Sequence, residues 1–181
     1  MRCRVQNANG FTLAELLIVV VLIVLVAAIA LPNLLRSQIA ANEASAIAAV
    51  AVINKAEVEY QTAYPNIGFA SSLAELGPDV ADGRCKSPNS TRACLIEGTL
   101  ANASSPTHAR SGYWFAVVPT VKDPNGVVSG YVAGAAAAAF NQSGVRDFCS
   151  LEDGAIRFRV PRSNSSPASN SSECAAMSVL H

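Results

Sequence analysis

The apolar run from residue 11 to residue 31 constrains this chain more than any other feature. It reads FTLAELLIVVVLIVLVAAIAL and contains a single charged side chain, Glu15. A helix rises about 1.5 Å per residue, so a run of this length extends roughly 31 Å, close to the roughly 30 Å hydrocarbon thickness of a bilayer. A transmembrane segment is therefore predicted at about residues 11–31.

Glu15 lies near the start of that segment, where a charge is costly. Burying an ionised carboxylate without a partner costs several kcal/mol, and ionisable groups inside membrane segments are normally paired or functional. No basic residue lies within the run to neutralise it. The sequence therefore predicts that Glu15 has a partner outside its own helix.

The basic residues around the run predict its orientation. Arg2 and Arg4 precede it, and Arg36 is the first basic residue after it. Because basic residues favour the cytoplasmic side, the N-terminus is expected in the cytoplasm and residues 33 onward outside it. The first ten residues are basic overall, and 11 of the 13 basic residues remain after them, against 13 acidic ones. This balance does not indicate nucleic acid as a partner.

The cysteines agree with an oxidising compartment. Cys3 lies in the first ten residues, and the rest of the chain holds an even set of four: Cys85, Cys94, Cys149 and Cys174. Four cysteines allow three pairings, of which local pairing, Cys85 with Cys94 and Cys149 with Cys174, is favoured. Neither spacing resembles a zinc knuckle, so neither a metal nor any other cofactor is predicted.

The helical pattern continues beyond Pro32. Residues 33–64 contain no Gly or Pro, are rich in Ala and place apolar residues at helical spacing. One helix is predicted over residues 11–64, ending at Tyr64-Pro65 because the residue before a proline is pushed out of the helical region. Residues 65–110 contain many Gly and Pro breakers and are expected to form a loop-rich connection, with one short helix near residues 71–76.

Residues 111–160 are predicted to form a small antiparallel sheet. Candidate strands lie at residues 113–118, 127–135, 145–149 and 155–160, which gives three or four strands. The run GAAAAA at residues 134–139 conflicts with a strand because alanine favours helix. Residues 161–181 form a Ser-rich tail. Its residues 163–172, SNSSPASNSS, are expected to bury no core and to be mobile except where Cys174 fixes the tail. The predicted fold class is α+β.

Little in the sequence indicates catalysis. The histidines are His108 and His181, and neither a serine-centred elbow nor a metal-binding HExxH pattern is present. Five Asn-x-Ser/Thr triplets occur, but enrichment in Asn and Ser alone produces such triplets, so glycosylation stays open. The triplets begin at Asn89, Asn102, Asn141, Asn164 and Asn170.

The N-terminus has two simpler interpretations. A secretory signal peptide would use Ala28-Ile29-Ala30 as its cleavage site, but the apolar run is too long and Glu15 interrupts it. A plain membrane anchor explains the length of the run but neither Gly10-Phe11 nor Glu15. An anchored or secreted protein is thus an alternative that leaves these residues unexplained.

The N-terminus resembles that of the type IV pilins and the related type II secretion pseudopilins. The resemblance lies in a short basic leader ending in Gly10, followed by the residues FTLAELLIVV from Phe11, with Pro32 in the same helix. It is close over residues 10–35 and looser for the later layout of helix, loop, sheet and C-terminal cysteine loop. Ala14 stands where the family more often has a larger aliphatic residue.

The resemblance implies a function. A prepilin peptidase would remove the leader, residues 1–10, by cutting between Gly10 and Phe11, and the new Phe11 amine would be N-methylated. The chain would sit in the bacterial inner membrane and then, with the inner-membrane assembly machinery, polymerise with copies of itself into a surface pilus; a type II secretion pseudopilin is the alternative. Glu15 would pair with the Phe11 amine of a neighbouring subunit, because two buried opposite charges recover much of their desolvation cost. Pro32 would weaken or kink the helix.

Overall fold

The computed structural model describes residues 11–78 and 84–180. The predicted leader with Gly10, Cys3 and the terminal His181 lie outside the described residues. The chain divides into two compact units, the first ending at Ser37 and the second beginning at Gln38.

Helix α1 (Leu13–Ala63) runs for 51 residues with Pro32 in its interior, as the pattern predicted. Its last turn continues into Tyr64, whose N–H donates to the carbonyl of Tyr60 at 2.8 Å, and the chain then leaves the helix at Pro65. In the second unit, one face of α1 is buried, and small side chains make up much of that face. The buried residues are Glu43, Ala46, Ala49, Val50, Ile53, Ala56, Glu57 and Tyr60.

Short helices interrupt the connection between α1 and the sheet. Helix α2 (Leu73–Leu76) confirms the short helix expected near residues 71–76, whereas helix α3 (Gly98–Ala101) and a 3₁₀ turn (Pro106–His108) were not predicted. Leu76 and Leu100 are completely buried in the same core as α1. The connection thus contributes to the core, although its breakers indicated mainly loop.

The sheet has five antiparallel strands, whereas the sequence predicted three or four. Neighbours in sequence are neighbours in space, so the order is β1-β2-β3-β4-β5. β1 forms one edge, and it carries Pro119 beside a register shift, a position that tolerates a missing N–H. The strands are β1 (Tyr113–Lys122), β2 (Val128–Ala137), β3 (Asp147–Ser150), β4 (Ile156–Arg159) and β5 (Ser178–Val179).

The alanine-rich run belongs to β2, against its helix propensity. Ala135 lies opposite Phe115 of β1 and opposite Phe148 of β3, and all three side chains are buried. Two aromatic neighbours leave little space between them, so a small residue fits where a larger one would not. Tertiary packing therefore overrides intrinsic propensity in this strand.

The C-terminal tail is not the coreless segment that its composition predicted. Helix α4 (Ser171–Ala175) is capped by Asn170, whose Oδ1 accepts a hydrogen bond from the Glu173 N–H at 2.8 Å. A second apolar cluster forms where the tail meets the sheet: Val132, Cys149, Ala168, Cys174 and Met177. The expectation that this tail buries no core is therefore wrong, because a few apolar residues and one disulfide suffice to order a Ser-rich chain.

Gly134 of β2 makes the tail's close approach possible. A Cβ added there would lie 2.8 Å from the backbone N and O of Ala168, closer than carbon atoms approach without displacement. We expect Gly134→Ala to push residues 167–168 off the sheet and to destabilise the fold by about 1–3 kcal/mol. Denaturant unfolding of the full chain in detergent micelles measures this cost.

Gly98→Ala is the matched control. The nearest atom to the added Cβ there is Cγ of Pro78 at 3.4 Å, and Gly98 is helical. The unfolding midpoint of Gly98→Ala should stay close to that of the wild-type protein. Equal unfolding midpoints for the two variants would contradict the packing role assigned to Gly134.

Candidate assembly surface

The first unit presents an apolar helix with nothing packed against it in the described residues. From Leu13 to Leu35 the large apolar side chains are exposed, and Leu13 is 84% exposed. By length and composition α1 can cross a membrane, which fits the segment predicted at residues 11–31. An apolar surface of this extent needs lipid or protein to cover it.

Thr12 and Glu15 organise the start of the helix. Oγ1 of Thr12 accepts a hydrogen bond from the backbone N–H of Glu15 at 3.2 Å, which is half of a capping box. The Glu15 side chain is exposed, and its carboxylate has no hydrogen-bond or ionic partner among residues 11–78 and 84–180. The Glu15 carboxyl group therefore lies without a counter-ion from the described residues at the N-terminal end of an apolar surface.

Pro32 lies inside the continuous helix. It has no N–H to donate to the carbonyl of Ala28, so one backbone hydrogen bond of α1 is missing at this turn. The helix nevertheless continues on both sides of Pro32. The predicted weakening at this turn stays a prediction.

In the second unit, the buried carboxylate of Glu43 joins α1 to the sheet. Its Oε1 accepts hydrogen bonds from the N–H groups of Val145 and Arg146, at 3.0 and 3.1 Å. Its Oε2 lies 2.8 Å from Nε and 2.7 Å from Nη2 of the Arg146 guanidinium. The Tyr113 hydroxyl donates to the Arg146 carbonyl at 2.7 Å, so the same arginine also contacts β1. This group of residues is called the Glu43 clamp below.

Two disulfides lie in the second unit. Cys85 is joined to Cys94, with Cα atoms 5.7 Å apart, and Cys149 is joined to Cys174, with Cα atoms 5.9 Å apart. The first closes an exposed loop, and the second ties α4 to β3 at the buried cluster described above. Both bridges join the pairs that local pairing favoured.

Comparison with known proteins adds to this geometry. The family described as the prokaryotic N-terminal methylation motif matches residues 5–31. The chain is also 34% identical over 118 residues to the type IV wide pilus major component PilA4 of Thermus thermophilus, an alignment that covers 63% of this chain and 84% of that relative. The chain belongs to the type IV pilins. No solved structure matches it.

Among the described residues, His108 belongs to neither a catalytic triad nor a metal-binding cluster. His108 of the pilin is exposed, and its Nδ1 lies 3.0 Å from Oγ of Ser105 and 3.2 Å from Oγ1 of Thr107. No carboxylate joins this group to complete a triad, and no cluster of three metal-binding side chains exists among the described residues.

The Glu43 clamp was missed by sequence reasoning. Its partner Arg146 is 103 residues away, and neither residue belongs to a recognisable motif. The available signal was Glu43 itself, a lone acidic residue between Gln38 and Lys55 of the Ala-rich helix. Its partner could be found only once the fold brought β3 beside α1.

Glu43→Ala should destabilise the pilin. It removes a carboxylate that accepts three hydrogen bonds and leaves the N–H groups of Val145 and Arg146 unpaired. Because the Arg146 side chain is 35% exposed and partly screened, we expect a loss of about 2–3 kcal/mol. Unfolding by guanidinium in micelles measures it.

Glu59→Ala controls for loss of a helical carboxylate. Glu59 is half exposed and lies 3.7 Å from Nζ of Lys55, a surface pair expected to contribute less than about 1 kcal/mol. An effect of Glu43→Ala no larger than that of Glu59→Ala would refute the clamp.

Glu57 is buried without a counter-ion, and burial raises its pKa from 4.5 to about 8. The Ala70 N–H donates to Oε2 at 2.8 Å and opposes this shift, whereas Glu75 adds to it. Oε1 is buried and has no hydrogen-bond partner in the described residues. The folded pilin therefore holds a proton on Glu57 that the unfolded chain releases near its ordinary pKa.

The pilin should lose stability as pH rises from about 4.5 to about 8, because the folded state binds the Glu57 proton more tightly over that range. The stabilisation from the Glu57 proton is fully present below this pH range. Within the range, the free energy of unfolding falls by at most about 1.4 kcal/mol per pH unit. Glu57→Gln keeps an acceptor for Ala70 and should flatten the dependence, while Glu59→Gln should not. Unfolding midpoints across this range test the assignment, and an unchanged slope in Glu57→Gln would disprove it.

Proposed function

We propose that this chain is a structural subunit that polymerises through its apolar helix into a type IV pilus. The observation that carries the proposal is the first half of α1, whose apolar side chains are exposed and whose one carboxylate, Glu15, is unpaired in the described residues. A surface of this kind fits two successive environments. Lipid covers it before assembly, and the same helices of neighbouring subunits cover it in the fibre.

Cleavage between Gly10 and Phe11 by a prepilin peptidase would supply the missing charge. It creates a new amine at Phe11, which the matched methylation motif suggests is then N-methylated. The amine of one subunit and the Glu15 carboxylate of its neighbour would form a buried ion pair. Such a pair recovers much of the desolvation cost of both charges, so it favours assembly in a definite register.

The positions of the charges support a single-pass inner-membrane intermediate. Arg2 and Arg4 would hold the N-terminus in the cytoplasm, where the peptidase and the inner-membrane assembly machinery reach it. The second unit would then fold outside the cytoplasmic membrane, where Cys85–Cys94 and Cys149–Cys174 can form. Assembly would move the subunit from the membrane to the cell surface.

Pro32 has a proposed role in that transfer. The backbone hydrogen bond missing at this turn makes α1 easier to bend or stretch there than in a regular helix. A local adjustment at this turn would let the helices of neighbouring subunits pack without disturbing the second unit.

A pilus subunit is favoured over a type II secretion pseudopilin by one observation. The relative matched over 84% of its length is named as a major component of a pilus. A structural role also accounts for the prominent features of the first unit without requiring any catalytic group.

Glu15→Ala tests the assembly contact. A broken buried pair typically costs about 3–5 kcal/mol, because one charge stays buried without its partner. Alanine is easier to insert into a membrane than glutamate, so the monomer should persist. In cells making only this variant, we expect mature subunit in the membrane at normal levels and few or no fibres in the sheared surface fraction.

Gly10→Val is the companion variant that stops the pathway one step earlier. A side chain at Gly10 should block the peptidase, leaving precursor of unreduced mass in the membrane, whereas Glu15→Ala should give a mature chain beginning with N-methylated Phe11. Intact mass spectrometry distinguishes the two. Normal fibre yield from Glu15→Ala would overturn the assembly role, and normal mature mass from Gly10→Val would overturn the cleavage site.

A further inference from the structure

The loop closed by Cys85 and Cys94 carries the triplet Asn89-Ser90-Thr91 at its tip. Asn89 and Arg92 exchange two backbone hydrogen bonds of 3.0 Å, so the triplet forms a tight turn. Asn89 and Thr91 are both exposed, and Ser90 between them is partly exposed. The whole triplet is therefore reachable from solvent in the folded protein.

Thr91 makes two hydrogen bonds to the side-chain amide of Asn89. Oδ1 of Asn89 accepts hydrogen bonds from the Thr91 N–H at 2.9 Å and from the Thr91 hydroxyl at 2.7 Å. Two donors on the carbonyl oxygen draw electron density from the amide nitrogen and make its hydrogens more acidic. Nδ2 uses one hydrogen in a 3.2 Å bond to the Ser87 carbonyl, and its second hydrogen is available for replacement.

A polar recess adjoins this amide. It has a volume of about 210 Å³ and is lined by Lys86, Ser87, Asn89, Arg92 and Cys94. A hydroxyl-rich group attached to Nδ2 would have space in this recess and polar atoms to contact. Cys94 of the Cys85–Cys94 bridge forms part of the lining of this recess.

Among the described residues, two of the other four triplets lack the bond between amide oxygen and triplet hydroxyl that Asn89 makes. In the triplet of Asn102 the middle residue, Ala103, is fully buried. Asn141 has a positive φ of 61°, and the hydroxyl of its triplet, on Ser143, donates to the Ala139 carbonyl at 3.1 Å. Asn102 and Ser104 are themselves exposed, so the Asn102 triplet differs from that of Asn89 in its buried middle residue and not in the exposure of its amide.

The last two triplets use their side chains to hold the tail in place. Oδ1 of Asn164 accepts a hydrogen bond from the Phe140 N–H at 2.7 Å, and the middle residue, Ser165, donates to the buried Asp147 at 2.6 Å. Asn170 does have its triplet hydroxyl within 2.8 Å, but its Oδ1 also caps helix α4. Asn164 therefore lacks the bond between its amide oxygen and its triplet hydroxyl that Asn89 makes, whereas Asn170 makes that bond as part of a helix cap.

We propose that Asn89 is the site of N-linked glycosylation in this protein. The donor is a saccharide joined through its anomeric carbon to a diphosphate. The Asn89 Nδ2 attacks that carbon, the new N–C bond forms as the C–O bond to the diphosphate breaks, and the diphosphate leaves with the bonding electrons. One Nδ2 proton passes to a base or to the leaving group, so no oxidant or reductant is needed.

A tryptic digest of the reduced and alkylated full chain, isolated from its own host, tests the proposal directly. Cleavage after Lys86 and Arg92 releases residues 87–92, SPNSTR, which contain one of the five asparagines. Peptide 93–110 carries Asn102 and peptide 123–146 carries Asn141, so they are internal controls. We expect a saccharide mass on peptide 87–92 and none on the two controls.

Variants distinguish a saccharide on the Asn89 amide from one on the Ser90 or Thr91 hydroxyl. Asn89→Gln and Thr91→Ala should both lose the added mass, whereas Thr91→Ser and Ser90→Ala should keep it. Retained Cys85–Cys94 pairing in each variant shows that the loop still folds. An unmodified peptide 87–92 in the wild type, or an added mass that survives Asn89→Gln, overturns the proposal. Fibre assembly is not part of the readout, so this outcome is independent of the proposed function.

Discussion

One continuous helix, α1, has to fit two environments, an apolar one up to Ser37 and a protein core beyond it. Much of the structure depends on this constraint. Up to Ser37 its apolar surface is exposed, which suits lipid or other copies of the helix. Beyond that point one face is buried against the sheet and the connection. Ala46, Ala49 and Ala56 make that face narrow, so the helix can pack closely on the sheet. Small residues thus occur on the buried face of α1, as they do in β2, where Phe115 and Phe148 flank Ala135.

Besides Glu59, which forms a surface pair with Lys55, α1 carries three carboxylates in three different environments. Glu43 is buried and paired with Arg146, which fastens the helix to the sheet. Glu57 is buried without a cation, so burial raises its pKa and favours the neutral form. Glu15 is exposed and without a partner in the described residues, although it sits in the most apolar part of the helix. Only this third carboxylate is left to be neutralised by another molecule.

The outer face of the sheet is covered by the C-terminal tail. Ala168 and the Cys149–Cys174 bridge supply its apolar contacts, and Asn170 supplies the helix cap. The other bridge has a different task, because Cys85–Cys94 closes an exposed polar loop outside the core. The Cys149–Cys174 bridge thus holds the tail on the sheet, and the Cys85–Cys94 bridge closes the loop that carries Asn89.

Features that depend on local pattern could be predicted from the sequence. The apolar run, Glu15 near its start, the uninterrupted helix to Ala63 and the α+β class could all be predicted, because helix length and hydropathy are properties of contiguous residues. Tertiary structure alone decided the alanine-rich strand β2, the burial of Ala168 and the pairing of Glu43 with Arg146. Each of these depends on residues far apart in the chain, where packing space and the desolvation of charge outweigh intrinsic propensity.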